Sequence, residues 1–281
     1  MKSSASRGVL LAAPAVVYLF VFLAVPLLLV ALMSVLSRGP YGDVLLRLNF
    51  ESYVRLFDPL YFKIWLDSLA IAALTTAATV LIGYPLAFWL ARAPRTLRQI
   101  ALFALLVPFW TNFLIRIYAW ILILRTGGLL ESLLAGLGLW RASLDVLYTP
   151  TAVLIGMIYE FLPFMVLPLY ASLEKIDPAL IAAAADLGAK PSQVFWRIVL
   201  PLGLPGLVAG SILVFVPAMG MFAVPDLLGG ARTLLVGNLI RNQFLTARDW
   251  PFGSAAAMVL VALTLVLLAL YSRFAGREPL L

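Results

Sequence analysis

Val9-Leu-Leu-Ala-Ala-Pro-Ala-Val-Val-Tyr-Leu-Phe-Val-Phe-Leu-Ala-Val-Pro-Leu-Leu-Leu-Val-Ala-Leu-Met-Ser-Val35 contains no charged residue. A helix needs roughly 20 apolar residues to cross the hydrocarbon of a bilayer, and this stretch exceeds that. Five further stretches meet the same requirement, at about 64–91, 99–124, 150–172, 204–225 and 254–274. The composition agrees. Of 281 residues, 64% are hydrophobic and 12% charged, too little polar surface for a domain surrounded by water. The predicted fold is an all-α integral membrane protein with six transmembrane helices. Lys2 and Arg7 precede the first run as in a signal peptide. The run is too long for a signal sequence, and no small-x-small site ends it, so it reads as an uncleaved first helix.

The sequence has no Cys and no His, which removes disulfides, thiolate chemistry, imidazole catalysis and most zinc or haem sites. No carboxylate cluster offers an oxygen cage for a metal. The net charge of +7 comes from dispersed Lys and Arg rather than a patch, so nucleic acid is not indicated. Orientation follows from basic residues. Lys2, Arg7, Arg92, Arg95, Arg98, Lys175, Lys190, Arg197, Arg273 and Arg277 fall on one side. Arg38, Arg47, Arg55, Lys63, Arg125, Arg141, Arg232, Arg241 and Arg248 fall on the other. The counts are nearly equal. The first group, however, lies on shorter loops and includes the Arg92–Arg98 cluster, which places both termini in the cytoplasm. On the opposite side, residues 49–60 and 128–139 have the apolar periodicity of short helices lying at the membrane surface. No internal repeat is visible, and the chain reads as one domain.

Energy and pathway leave a smaller set of residues. There is no G-x-x-x-x-G-K-[ST] loop, so a Walker-type ATP site is excluded. Glu160 is the acid that falls clearly mid-span, with Arg116 in the third span and Asp67 near the start of the second. An ion-driven carrier ordinarily carries more intramembrane charge. Helix breakers are frequent, at Pro85, Pro108, Pro163, Pro168, Pro217 and Pro225. They are tolerated where the freed carbonyls find partners or line a cavity. Gly206 and Gly210 form a small-x-x-x-small face suited to close helix packing.

Between the fourth and fifth spans lies Glu174-Lys-Ile-Asp-Pro-Ala-Leu-Ile-Ala-Ala-Ala-Ala-Asp-Leu-Gly-Ala-Lys-Pro-Ser-Gln-Val-Phe-Trp-Arg-Ile-Val-Leu-Pro201. It reads as two short helices. Asp177 caps the first, Pro178 suits its first position, and Gly188 ends it. Pro191-Ser192 starts the second, whose apolar face is Val194, Phe195, Ile198 and Val199, and Pro201 stops it. From the residues alone, this pair either packs on its own bundle or docks a partner.

The segment resembles the EAA loop of permeases in ATP-binding-cassette (ABC) importers. Gly188, Ile198, Leu200 and Pro201 match that pattern, as do Ala183 and Ala184; the family Glu is replaced by Ala182, while Asp186 remains on the first helix. Blocks along the chain resemble spermidine/putrescine permeases of the PotB type. They include Val107-Pro-Phe-Trp-Thr-Asn112 with Leu114-Ile-Arg-Ile-Tyr118, Leu162-Pro-Phe-Met165, Pro217-Ala-Met-Gly220, Asp226-Leu-Leu-Gly-Gly230 and Arg248-Asp-Trp-Pro-Phe-Gly253. Permeases for opines and phosphonates share parts of these blocks.

The resemblance implies a type I (MetI-like) ABC importer transmembrane domain in the inner membrane. A first helix and outer loop would occupy residues 1–63, the core 64–274 with its coupling loop at 174–201, and a cytoplasmic tail 275–281. It further implies a second homologous permease, an ATPase dimer carrying ATP-Mg, and an extracytoplasmic substrate-binding protein. The chain itself would hold no cofactor and catalyse nothing. A polyamine path should offer carboxylates and aromatic faces. Asp226 is the first choice, then Glu160 flanked by Tyr159 and Phe161, with Trp110, Asn112 and Phe222 along the path. Each also has a structural reading: interfacial anchor, helix cap, or neutralisation of Glu160 by Arg116. The rivals are an ion-coupled carrier acting alone and, with less chemistry to draw on, a membrane-embedded enzyme.

Overall fold

The computed structural model describes residues 2–139 and 145–275. Arg141, Arg277 and most of the expected 275–281 tail lie outside the described residues. Among the described residues, six helical segments are long and apolar enough to cross a membrane: Ala13–Ser34, Pro59–Arg92, Phe113–Gly136, Pro150–Leu173, Pro191–Gly220 and Trp250–Leu270. The chain divides into two units, residues 1–62 with 239–263 and residues 63–238 with 264–281.

The first unit begins with α1 (Lys2–Ser34). A hairpin not anticipated from the sequence follows, β1 (Leu36–Arg38) against β2 (Val44–Leu48), turning through Gly42 at φ +81°. The surface helix expected at 49–60 is reduced to α2 (Glu51–Arg55), and α3 (Pro59–Arg92) begins within the same stretch. The polar centre of this unit is Asp249, only 1% exposed. Its carboxylate accepts from Arg55 Nη1 at 2.9 Å and from the Phe252 backbone N–H at 3.2 Å, and lies 3.6 Å from Arg38 Nη1. Arg38 Nη2 also donates to the Ala247 carbonyl at 2.7 Å. Partial burial works against the Arg55 charge. Hydrogen bonding and charge attraction from Asp249 and Tyr61 together outweigh that and hold the guanidinium above its ordinary pKa.

In the second unit α3 presents a buried face of Ser68, Ala72, Thr75, Thr79, Gly83, Ala87 and Leu90, spaced at three and four residues. The expected third span, 99–124, is not one helix. It divides into α4 (Arg95–Leu106), a 3-10 turn (Val107–Trp110) and α5 (Phe113–Leu124). Pro108 cannot donate to a continuing ladder, Thr111 is extended, and the Asn112 side chain accepts from Leu114 N at 2.8 Å to restart the helix. The candidate span Phe113–Gly136 takes in α5 and the short α6 (Leu129–Gly136), the latter within the 128–139 stretch expected to form a short helix.

Helix α7 (Pro150–Leu173) is the core of this unit, with Val153, Met157, Met165, Val166 and Leu169 fully buried. Thr149 caps it and Pro150 opens it. Two short helices follow, α8 (Pro178–Asp186) and α9 (Pro191–Val194). α9 passes through a π turn (Phe195–Val199) directly into α10 (Leu200–Gly220). Pro201 therefore does not stop the helix. The wide turn before it absorbs the missing N–H and the ring. The expected fifth span, 204–225, is displaced towards the N-terminus. α10 ends at Gly220, Met221 is extended, and residues 225–229 form a separate π turn. α11 (Val236–Leu245) and α12 (Trp250–Ala275) complete the described chain.

Candidate functional site

The loop between α7 and α10 is built as its sequence dictates. Asp177 Oδ1 accepts from Ala179 N at 2.9 Å. Gly188, at φ +79°, donates to Ala185 O at 2.9 Å, and Ala189 donates to Ala184 O at 3.0 Å, the paired bonds of a Schellman stop. None of the α8 residues is buried. Ala182, Ala183 and Asp186 are exposed, Ala184 is half-buried, and Leu187 beyond the helix is 89% exposed. The second helix differs. Val194 and Val199 are buried, Ile198 is half-buried, and the Phe195 ring meets Tyr84 edge-on at 5.4 Å. Leu200 and Pro201 open α10. Of the two alternatives left open by the sequence, packing on its own bundle holds for the second helix, while no residue of the first is buried among the described residues.

α10 lies close against α7. A Cβ at Gly206 would meet Pro168 O at 2.5 Å, and one at Gly210 would meet Met165 Sδ at 2.9 Å. The small-x-x-x-small face read from the sequence is this contact. At the start of the loop, Arg98 Nη1 donates to Glu174 Oε1 at 2.6 Å, tying α4 to the end of α7.

The intramembrane charges pair. Arg116 Nη2 donates to Glu160 Oε1 at 2.7 Å, with both residues buried. Arg116 Nη1 donates to the Pro108 carbonyl at 3.0 Å, and the guanidinium lies 4.7 Å from the Phe109 ring centre. One arginine thus neutralises Glu160 and holds the break in the third span. Tyr159 packs edge-on to Trp120 at 5.5 Å. Trp110 is 77% exposed and touches Phe103, and Asn112 is occupied as the α5 cap.

Asp226 and Phe222 belong to a different cluster, at the break after α10. Asn238, 1% exposed in the first turn of α11, donates through Nδ2 to the Phe222 carbonyl at 2.9 Å and to Asp226 Oδ1. Its Oδ1 accepts from Leu235 N at 3.2 Å. Ser68 Oγ accepts from Val236 N at 2.8 Å. Gly237 lets α11 approach: a Cβ there would meet Gly220 O at 2.4 Å. Asn238 and Ser68 are not evident in the sequence, because a single Asn or Ser on a helix carries no motif. The structure brings Asp226 and Phe222 together, and Glu160 with Tyr159 and Arg116. Trp110 and Asn112 sit at the α4–α5 break.

Residues 80–277 match the family model described as binding-protein-dependent transport system inner membrane component. The spermidine/putrescine transport system permease protein PotB of Escherichia coli (strain K12) is 48% identical over 255 residues, covering 91% of this chain and 92% of that protein. PotB of Haemophilus influenzae is 45% identical, covering 91% and 90%. A crystal structure of a bacterial alginate ABC transporter, in complex with alginate pentasaccharide-bound periplasmic protein, aligns with a TM-score of 0.74 at 18% identity, covering 99% of each chain. At that identity it supports the fold alone. With six apolar spans, the matching core and nearly full-length relatives, the chain is a multi-pass membrane protein that belongs to the binding-protein-dependent transport system inner membrane components, among the PotB-type permeases.

Proposed function

We propose that the chain forms half of the membrane pathway of an ATP-driven polyamine importer and takes its energy from a separate ATPase. The observation that carries the substrate class is the 48% identity, over 91% of the chain, to a spermidine/putrescine permease. The second half of the pathway is a homologous permease. An ATPase dimer carries ATP-Mg, and an extracytoplasmic binding protein delivers substrate. Both termini lie in the cytoplasm, as the placement of Lys and Arg favours. That puts α8 on the ATPase side, where its uncovered small-residue surface suits a docked partner.

In this reading, closure of the ATPase dimer moves α8 through contacts that include Ala183, Ala184, Asp186 and the Gly188 stop. Ile198, Leu200 and Pro201 pass the movement on, because residues 191–220 are one continuous helix. The displacement reaches the break at Gly220, beside Asp226 and Phe222. Alternation between inward-open and outward-open states then follows as rigid-body rocking of packed helices. Asp226 is the path carboxylate that draws the substrate ammonium groups. Glu160, already matched by Arg116, makes the region near Tyr159, Trp110 and Asn112 electrically neutral, so a polycation passes without being trapped.

The test is ATPase activity of the reconstituted complex with its binding protein, across spermidine, putrescine, an opine and an aminophosphonate. Stimulation by a polyamine alone supports the reading. Stimulation by another solute discards polyamines and keeps the importer. Transport by this chain without an ATPase returns the question to a self-sufficient carrier.

A further inference from the structure

We infer that Asn238 is a positioning residue of the transport path: it fixes the Asp226 carboxylate beside the break at the end of α10 without meeting substrate itself. The inference rests on the reading of Asp226 as the path carboxylate. A side-chain amide has two donor hydrogens and one acceptor oxygen, and at Asn238 every one of these is engaged. Oδ1 accepts from the Leu235 backbone N–H, which fixes which end of the amide faces which way. The two Nδ2 hydrogens then point to the Phe222 carbonyl and to Asp226 Oδ1.

The three groups held come from three local structures: the extended residues after α10, the π turn at 225–229, and the N-terminal side of α11. The Phe222 carbonyl also accepts from Asp226 N at 3.0 Å, so a turn is already formed where the amide attaches. The amide ties the turn after α10 to the first turn of α11. At 1% exposure Asn238 is out of reach of a solute. Close approach of the α11 backbone is secured on the other side by Gly237 against Gly220 O and by Ser68 Oγ on Val236 N. A carboxylate held by a charge-assisted hydrogen bond from a rigid donor keeps one orientation while the helices around it move. Loss of the donor would remove one contact that orients the Asp226 carboxylate, which weakens substrate capture rather than the speed of the cycle.

The experiment is spermidine uptake by the complete transporter, with KM and Vmax measured for Asn238→Ala, Asp226→Asn and the double variant, and the amount of assembled complex as control. We expect Asn238→Ala to raise KM about tenfold with Vmax per complex retained, the scale of losing one hydrogen bond to a charged group. We expect Asp226→Asn to raise KM at least as much, and Asn238→Ala to add nothing in that background. If Asn238→Ala prevents assembly, Asn238→Ser, which keeps a shorter polar group, carries the same comparison. A fall in complex and Vmax at unchanged KM would make Asn238 merely structural and overturn the inference. Equal KM factors with and without Asp226 would do the same and leave the Asp226 reading standing. An unchanged KM in Asp226→Asn would overturn both.

Discussion

The two short helices of the 174–201 loop begin alike in sequence, each with a polar cap and a proline at its first position, yet they end in opposite environments. α8 has no buried residue, and its last turn closes on itself through Gly188. α9 buries Val194 and Val199 and never stops, running through the π turn into α10. In the proposed cycle, this difference separates contact from transmission. A segment that must meet a partner keeps its surface free and its ends capped locally. A segment that must pass displacement onward is packed and continuous with the helix it moves.

Changes on the packed side should be the more damaging to the fold. Val194→Asp puts a carboxylate where only 8% of the residue is exposed, and should cost about 3 kcal/mol or more. Thermal unfolding in detergent checks this, and an unchanged midpoint would mean α9 is not packed as described. Gly206→Val drives a side chain into Pro168 O and Ser172, and should cost about 1–3 kcal/mol by the same measurement. Gly188→Pro removes the N–H that donates to Ala185 O and forbids φ +79°. Its cost of about 1–3 kcal/mol stays in the loop. The protein should insert normally while uptake is abolished, and normal uptake would sink the coupling role of this loop. Leu187→Asp, at an 89% exposed position, should shift stability by no more than about 0.5 kcal/mol. It should nonetheless weaken co-purification with the ATPase, so full retention of that partner would show that α8 is not the contact surface.

Legibility in the sequence followed the kind of force at work. The first helix of the loop was readable because its signals are local: Asp177, Pro178 and Gly188 act within their own turns. The spans were readable because hydrocarbon thickness sets a length. What escaped depended on distant partners. The break at 107–112 required Arg116 to reach back to Pro108 O, and the sequence showed only a proline in an apolar run. Pro201 looked like a stop, because nothing in residues 195–199 announces a π turn. The Arg116–Glu160 pair was legible as a neutralising alternative, since two isolated charges in adjacent spans have few other partners. Asn238 was not, because its three bonds are made to groups that only the fold brings together.

The Asp249 cluster bears on the order in which the chain is made. Its two arginines, Arg38 and Arg55, leave the ribosome long before it does; Arg55 and Asp249 stand 194 residues apart. Until the last membrane helix is reached, the hairpin and α2 lack the Asp249 carboxylate to close on, and the Ala247 carbonyl that receives Arg38 does not yet exist. The first unit is thus a late event of biogenesis assembled from early material. Its closure waits until every intervening residue has been synthesised.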